Sequence, residues 1–230
     1  MSDETDYPPT RRIGVFVFDD FEPLDVWGFV QAFTIARYIG GAYADPTGCP
    51  FQVGFIGETL EKVRSYNGPS VVPDLTWAEA MEDSPDVLMV PGGFGVRSFL
   101  DPDGSPEALA GVVDWLRAMN ERVEIMASVC TGAALLARAG LLDDVAATTN
   151  RAAFEWVAAQ GPLVLWDDRS RWVDAGRFVT SAGVSAGTDM AFHLVSRLAG
   201  RAVAERAAKA AEYCWQRDPS GQEGSPGQAW

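Results

Sequence analysis

One cysteine of this chain lies where a catalytic nucleophile could be presented. The segment 123–132, VEIMASVCTG, has the pattern of an apolar strand, followed by a turn at Cys130 and a helical pattern that begins at Thr131. The positive end of a helix favours thiolate over thiol, and thiolate is the form that attacks carbon. Small residues at Ser128 and Gly132 suit the sharp turn of such an elbow. The segment predicts a nucleophilic Cys130, and the alternative is a buried structural cysteine.

Two further segments carry residues that could act beside this cysteine. Asp25 lies at the start of a helical pattern, and Gly92-Gly93 follow an apolar strand pattern. Ligands bind beyond the carboxyl ends of parallel strands, so we expect an acid, a pair of backbone N–H donors and a nucleophile to meet there. The N–H of Thr131 would face an anion beside Cys130. In the alternative interpretation, Asp25 only favours its helix start electrostatically, and Gly92-Gly93 form an ordinary tight turn.

The scarcity of histidine limits which side chains could exchange a proton with the cysteine. The only histidine is His193, which lies within a largely apolar helical pattern over 186–199. This position favours a packed side chain and disfavours a Cys–His pair of the kind that exchanges protons in cysteine proteases. A cysteine–carboxyl pair remains. An acid that faces a thiolate is pushed toward protonation, so Asp25 could hold a proton and deliver it to a substrate.

The rest of the chain predicts the elements that must position these residues. Strand patterns alternate with helical ones, which indicates a mostly parallel sheet covered on both faces. The predicted fold is therefore an α/β three-layer sandwich of the flavodoxin-like kind. The predicted strands are 12–18, 51–56, 87–90, 123–129, 145–148 and 163–166, with hairpins over 63–72 and 172–181. The predicted helices are 24–39, 77–81, 105–119, 152–159, 186–199 and 202–215, besides the one that follows Cys130.

Composition and charge limit the class of protein. We expect a single domain over 11–216, with flexible tails at 1–10 and 217–230. The net charge of −14 argues against a nucleic-acid partner. The chain lacks a run of 18 apolar residues and begins with a polar, acidic segment, which predicts a cytoplasmic protein without a membrane contact. The three cysteines, Cys49, Cys130 and Cys214, have spacings that suggest neither a disulfide framework nor a metal site.

Several motifs resemble those of the ThiJ/PfpI superfamily, a branch of the class I glutamine amidotransferase-like fold, and more narrowly those of the isonitrile hydratase group. They are IGVFVF…PLDVWG, VPGG, SVCTGA…AGLL, ATT and TSAGVSAGTDMA, and they extend from residue 12 to 199. The resemblance implies that Cys130 is the nucleophile, that Asp25 is the acid beside it and that Thr131 belongs to the site. It also implies a homodimer that needs no metal or organic cofactor.

Two positions depart from the pattern of that group. Asn150 stands after ATT where the group usually has histidine, and Phe29 stands where it usually has proline. Asn150 can donate and accept hydrogen bonds but cannot shuttle a proton near neutral pH. We assign Asn150, with Gly92 and Gly93, to substrate binding or oxyanion stabilisation.

Three functions are compatible with these residues, and each would use a site for a small molecule. The leading hypothesis is hydration of an isonitrile to an N-substituted formamide through a cysteine thioimidate. The alternatives are a glyoxalase- or deglycase-like reaction of small dicarbonyls and a non-catalytic module that senses a ligand or an oxidant.

Overall fold

The computed structural model describes residues 7–39, 48–101 and 103–220. Strands alternate with helices along most of this length, as the sequence predicts. The strands are β1 Arg11–Phe16, β2 Phe51–Gly57, β3 Val63–Arg64, β4 Ser70–Val71, β5 Leu75–Thr76, β6 Val87–Val90, β7 Ile125–Val129, β8 Ala146–Ala147, β9 Leu165–Trp166, β10 Trp172–Ala175 and β11 Phe178–Ser181. The helices are α1 Pro23–Thr34, α2 Trp77–Glu82, α3 Phe94–Leu100, α4 Pro106–Asn120, α5 Ala133–Arg138, α6 Phe154–Ala158, α7 Ser185–Ala199 and α8 Arg201–Ala210.

Seven strands form the central sheet, in the order β10-β11-β7-β6-β1-β2-β5. All neighbours pair in parallel except β10 and β11, which form the predicted antiparallel hairpin. The central strands β6 and β7 are buried along their whole length, because helices cover both faces of the sheet. Helices α1, α7 and α8 pack together on one side, and α2, α3, α4 and α5 form contacts with one another on the other. The predicted three-layer α/β sandwich is confirmed.

Tertiary contacts shorten two helices relative to their sequence patterns. The predicted helix over 202–215 ends at Ala210, because the chain beyond it turns to contact the buried carboxylate of Asp189. That carboxylate accepts hydrogen bonds from the Tyr213 hydroxyl and the Gln216 N–H, each at 2.9 Å. Similarly, α1 ends at Thr34 and not at residue 39. Beyond α1 the chain turns toward the start of β2, where the Tyr38 N–H donates to the carbonyl of Gly48.

Three further differences concern short elements. The helix α3 and the strand β5 were not predicted, since both follow turn-like sequence and are too short to show a periodic pattern. The strand patterns at 145–148 and 163–166 do not join the central sheet. They form β8 and β9, which pair in parallel as a separate two-stranded sheet.

The parts of the two predicted tails that are described make contact with the domain. Tyr7 stacks on Tyr38, with ring centroids 5.4 Å apart, and the Arg171 N–H donates to the carbonyl of Pro219. Residues 1–6 and 221–230 of those tails lie outside the described residues. Within the described ranges, no helix combines the length and the apolar character needed to cross a membrane.

Candidate active site

Cys130 lies directly after β7, in a turn that sharply redirects the chain. Its φ of 58° is in the left-handed region, which is uncommon for a residue with a side chain and is found at functional sites. A single turn of 3₁₀ helix, Cys130–Gly132, then leads into α5. The Cys130 N–H donates to the carbonyl of Ala182, and its own carbonyl accepts the Thr149 hydroxyl at 2.7 Å. Backbone contacts to two other segments therefore hold the predicted elbow.

Two glycines allow the loops after β6 and β7 to touch. A β carbon on Gly92 would lie 2.8 Å from the β carbon of Cys130 and 2.7 Å from the Thr131 nitrogen. A β carbon on Gly132 would lie 2.2 Å from the carbonyl oxygen of Val90. Only glycine fits at such close approaches of two backbones, which explains the small residues around Cys130.

Asp25 comes from the first turn of α1 and is fully buried beside the cysteine. Its Oδ2 accepts the Gly92 N–H at 2.9 Å. Oδ1 makes no hydrogen bond of standard geometry among the described residues, and the carboxyl lies within interaction range of the Cys130 thiol and the Val184 N–H. The structure thus brings together the candidate acid and the candidate nucleophile, which are 105 positions apart in the sequence.

Burial raises the pKa of Asp25 from 3.8 to about 7, and the charge of Glu22 adds to the rise. The hydrogen bond from Gly92 and the interactions with Cys130 and Val184 act in the opposite direction but do not offset it. A carboxyl with a pKa near neutrality can serve as both proton donor and proton acceptor. The predicted push of Asp25 toward protonation is present, with desolvation as its main cause.

The structure corrects the prediction of a thiolate favoured by the start of a helix. Burial, together with the nearby charge of Asp25, raises the pKa of the Cys130 thiol to about 12. The Thr131 N–H and the Asn150 side chain lower this pKa, but by less. Between about pH 7 and about pH 12 the pair therefore holds one proton, which lies on the Cys130 sulfur.

Asn150 provides a donor to the sulfur. Its Nδ2 lies 3.2 Å from the Cys130 Sγ, and its Oδ1 accepts the Ala153 N–H at 3.1 Å at the start of the following 3₁₀ helix. Because a backbone donor occupies Oδ1, the NH₂ group must face the sulfur. Gly183 makes room for this arrangement, since a β carbon there would lie 2.4 Å from Nδ2.

The structure also corrects the prediction of a free donor pair at Gly92 and Gly93. The Gly92 N–H is bonded to Asp25, and the Gly93 N–H donates to the Thr131 Oγ1 at 3.1 Å. These two donors position the acid and Thr131. The Thr131 N–H, by contrast, lowers the pKa of the Cys130 thiol and is therefore placed to stabilise negative charge on the sulfur.

Two residues near the pair were missed by the analysis of the sequence. Glu22 lies at the start of α1, and its charge raises the pKa values of both Asp25 and Cys130. Val184 has φ 44° and ψ −85°, a strained conformation for a β-branched residue. Its strain has no signature in the sequence, although it lies in the TSAGVSAGTDMA motif.

The remaining candidate groups lie elsewhere. The His193 imidazole pairs with Asp174 at 2.7 Å, so it is held at β10 and not at Cys130. Phe29 is fully buried against Phe33 and belongs to the core. Phe94, which directly follows Gly93, is 54% exposed and stacks on Tyr66. Among the described residues, no group of three or more His, Cys, Asp or Glu side chains could hold a metal ion.

Fold and site together define a class: an α/β sandwich that presents a cysteine at the end of a central parallel strand, beside a buried acid. The chain belongs to the DJ-1/PfpI family, whose model matches residues 11–197. A ThiJ/PfpI family protein from Pseudomonas syringae has a similar structure, with a TM-score of 0.72 and 25% identity over 97% of this chain and 82% of that one. DJ-1beta of Drosophila melanogaster shares the fold, with a TM-score of 0.70 and 19% identity over 90% of this chain and 100% of that one.

Curated relatives differ in what they do. Isonitrile hydratase of Pseudomonas putida is 32% identical over 151 residues, which cover 65% of this chain and 60% of the relative. The HTH-type transcriptional regulator GbdR of Pseudomonas aeruginosa is 26% identical over 198 residues, covering 84% of this chain and 49% of the relative. The chain thus spans about half to three fifths of the length of these relatives.

Proposed function

We propose that this protein is an isonitrile hydratase-like lyase that converts an isonitrile and water to an N-substituted formamide. The observation that carries the proposal is the Asp25–Cys130 pair, which shares one proton around neutral pH and has no imidazole beside it. Such a pair can move one proton between sulfur, substrate carbon and water. The similarity to the isonitrile hydratase of Pseudomonas putida supports this choice of substrate.

In the first step, Asp25 takes the thiol proton while the Cys130 sulfur forms a bond to the terminal carbon of the isonitrile. Asp25 then gives this proton to the same carbon, which yields a thioimidate, R–N=CH–S–Cys. The Thr131 N–H and the Asn150 NH₂ stabilise the negative charge on sulfur before the bond forms. Asn150 cannot take part in proton transfer, so Asp25 alone carries the proton.

In the second step, Asp25 acts as a base and takes a proton from water as the water oxygen bonds to the thioimidate carbon. Asp25 gives this proton to the nitrogen. It then takes the second water proton from the new hydroxyl group and delivers it to the sulfur as the carbon–sulfur bond breaks, and the product leaves as R–NH–CHO. One water is consumed, and Cys130 and Asp25 return to their starting state with one shared proton. The near-neutral pKa of Asp25 suits it to both directions of transfer.

The proposal is tested with an alkyl isonitrile and four variants. We expect Cys130→Ala to abolish formation of the formamide. Asp25→Asn should lower kcat by at least about a hundredfold, as loss of a general acid–base group does. Cys49→Ala and Cys214→Ala remove a thiol outside the site and should retain full activity. Formamide production that survives in Cys130→Ala would disprove the proposal.

A sensing module is the second candidate, and the similarity to the regulator GbdR over 84% of this chain favours it. No turnover of isonitriles or of α-oxoaldehydes, together with selective oxidation of Cys130 by peroxide, would favour sensing. Turnover of α-oxoaldehydes alone would favour a glyoxalase- or deglycase-like reaction at the same cysteine.

A further inference from the structure

We propose that Arg171 and Asp189 are positioning residues for Cys130, and that they make the C-terminal segment, residues 211–220, part of the cysteine site. The two side chains bond to each other and act on the cysteine through the backbone. The expected effect on turnover rests on the function proposed for Cys130. The expected effect on the backbone of Cys130 does not.

One row of backbone hydrogen bonds runs from the C-terminal segment to Cys130. The Arg171 N–H donates to the carbonyl of Pro219 at 2.6 Å, and the Arg171 carbonyl accepts the Ala182 N–H at 2.8 Å. The Ala182 carbonyl in turn accepts the Cys130 N–H at 3.3 Å. These bonds extend the pairing of β10 with β11 and of β11 with β7 by one residue. The C-terminal segment is therefore the outer partner of the row that ends at the cysteine.

The buried carboxylate of Asp189 ties Arg171 to the C-terminal segment. Asp189 is fully buried on α7, and its Oδ2 accepts the Nε–H of Arg171 at 3.1 Å and a second guanidinium N–H. Its Oδ1 accepts the Tyr213 hydroxyl and the Gln216 N–H, each at 2.9 Å. Its backbone carbonyl accepts the Trp215 indole N–H at 3.1 Å. Charge-assisted hydrogen bonds away from water hold their partners in one geometry.

The helix α7 also connects Asp189 to the strand that ends before Cys130. A β carbon on Gly187, two residues before Asp189, would lie 2.5 Å from the Cγ1 of Val129. The helix therefore packs directly on the last residue of β7. Because close-packed interiors transmit displacements, a shift of α7 near Asp189 would move the backbone next to Cys130.

The conformation of Cys130 explains why it needs this support. Its φ of 58° is rare for a residue with a side chain, and such a conformation persists only where surrounding contacts hold it. The row from Arg171 fixes the Cys130 N–H, which lies at the start of the turn. If the row loosens, we expect the backbone to relax and the sulfur to move relative to Asp25 and the Thr131 N–H.

Hydrogen exchange of backbone amides, followed by NMR on the full chain, tests the proposal without a substrate. The readout is the exchange rate of the Cys130 N–H divided by that of the Met126 N–H, which donates to Arg177 at the other end of the same strand pair. Relative to the wild type, Arg171→Gln should raise this ratio by about tenfold or more, as loss of hydrogen bonds to a charged group does. A merely structural role would speed up both amides by the same factor, through global unfolding.

Two milder variants give the same test if Arg171→Gln does not fold. Tyr213→Phe removes one hydrogen bond to Asp189 and leaves the ion pair in place, and it should raise the ratio by about threefold. Arg171→Lys keeps the charge but loses the planar two-donor contact, so its ratio should lie between those of the wild type and Arg171→Gln.

The matched control is Arg197→Gln. Arg197 joins the same helix to the same hairpin through Asp174, at 3.0 Å, and its side chain is partly buried as that of Arg171 is. Its bonds lie at the turn of the hairpin, at the end away from Cys130. This variant should therefore leave the exchange ratio at the wild-type value.

Turnover of an alkyl isonitrile is the second readout. Arg171→Gln should lower kcat by about tenfold with little change in KM, because the sulfur is displaced while the substrate contacts are kept. A wild type that does not convert isonitriles would contradict the function proposed for Cys130, and the exchange ratio alone would then decide the present proposal.

The proposal is overturned if the folded variants among Arg171→Gln, Arg171→Lys and Tyr213→Phe keep the wild-type exchange ratio. It is also overturned if Arg197→Gln raises the ratio as much as they do. In an active protein, a variant that has a raised ratio and an unchanged kcat would likewise overturn it.

Discussion

The proposed chemistry depends on how two side chains, Asp25 and Cys130, share one proton, with Asn150 as a hydrogen-bond donor to the sulfur. Burial raises the pKa values of both Asp25 and Cys130, so neither group ionises as it would in water. The Asn150 amide donates to the sulfur at 3.2 Å but cannot take its proton. An imidazole at position 150 could have held the proton. With asparagine there, the carboxyl of Asp25 is the candidate base beside the thiol.

The raised pKa of Asp25 predicts that the stability of the protein depends on pH. The native state holds the Asp25 proton up to about pH 7, whereas an unfolded chain releases it near 3.8, so the free energy of unfolding falls as the pH rises through this window. The Asp25→Asn variant has no carboxyl to titrate at this position, so it avoids this loss of unfolding free energy. Relative to the wild type, we expect the variant to gain stability between pH 4 and pH 8, by at most about 4 kcal/mol.

Urea unfolding of both proteins at several pH values measures the difference. Asp114→Asn, an exposed acid on α4, serves as the control and should follow the wild type. An Asp25→Asn variant whose advantage stays constant between pH 4 and pH 8 would show that Asp25 titrates normally in the native state.

At the scale of elements, the site is a junction of three strand ends. The segment after β1 leads to Asp25, the loop after β6 carries Gly92 and Gly93, and the turn after β7 carries Cys130. Parallel pairing of β1 with β6 and of β6 with β7 aligns these ends at one edge of the sheet. The close approach of the loops, at glycine positions, then sets the distance between acid and sulfur.

The contact between the loops after β6 and β7 can be tested with Gly132→Ala. The new methyl group would overlap the carbonyl oxygen of Val90, and backbone atoms cannot move away as a side-chain end could. We expect a loss of about 1–3 kcal/mol of unfolding free energy and slower turnover. Gly111→Ala, in the middle of α4 with its nearest contact at 3.7 Å, should be neutral or stabilising.

At the scale of the whole molecule, the face that carries the start of α1 and α3 presents apolar side chains to solvent. Leu24, Trp27 and Phe94 are 47%, 41% and 54% exposed, beside the segments that hold Asp25 and Gly93. Exposed apolar side chains of this size are typical of surfaces that associate. They are consistent with the homodimer implied by the resemblance to the superfamily.

We predict that light scattering gives twice the mass of the chain. Leu24→Glu/Phe94→Glu should shift the protein to the monomer, because burying a charge in an apolar interface is costly. Leu163→Glu/Leu165→Glu changes two leucines that are 61% and 58% exposed, two residues before β9 and within it, and should leave the dimer intact. A wild type of monomer mass at micromolar concentration would contradict the prediction.

The sequence by itself determined the α/β architecture and the turn at Cys130, because strand periodicity and glycine positions are properties of neighbouring residues. The expectation that Asp25 lies beside Cys130 came from the rule that the ends of parallel strands meet and from the family resemblance. Tertiary structure alone decided the rest. The direction of the Cys130 pKa depends on burial, the orientation of Asn150 depends on the Ala153 N–H, and the end of α8 depends on Asp189. Each of these features depends on contacts between distant residues or on the exclusion of water from the site. Contacts and burial of this kind leave no pattern in the local sequence.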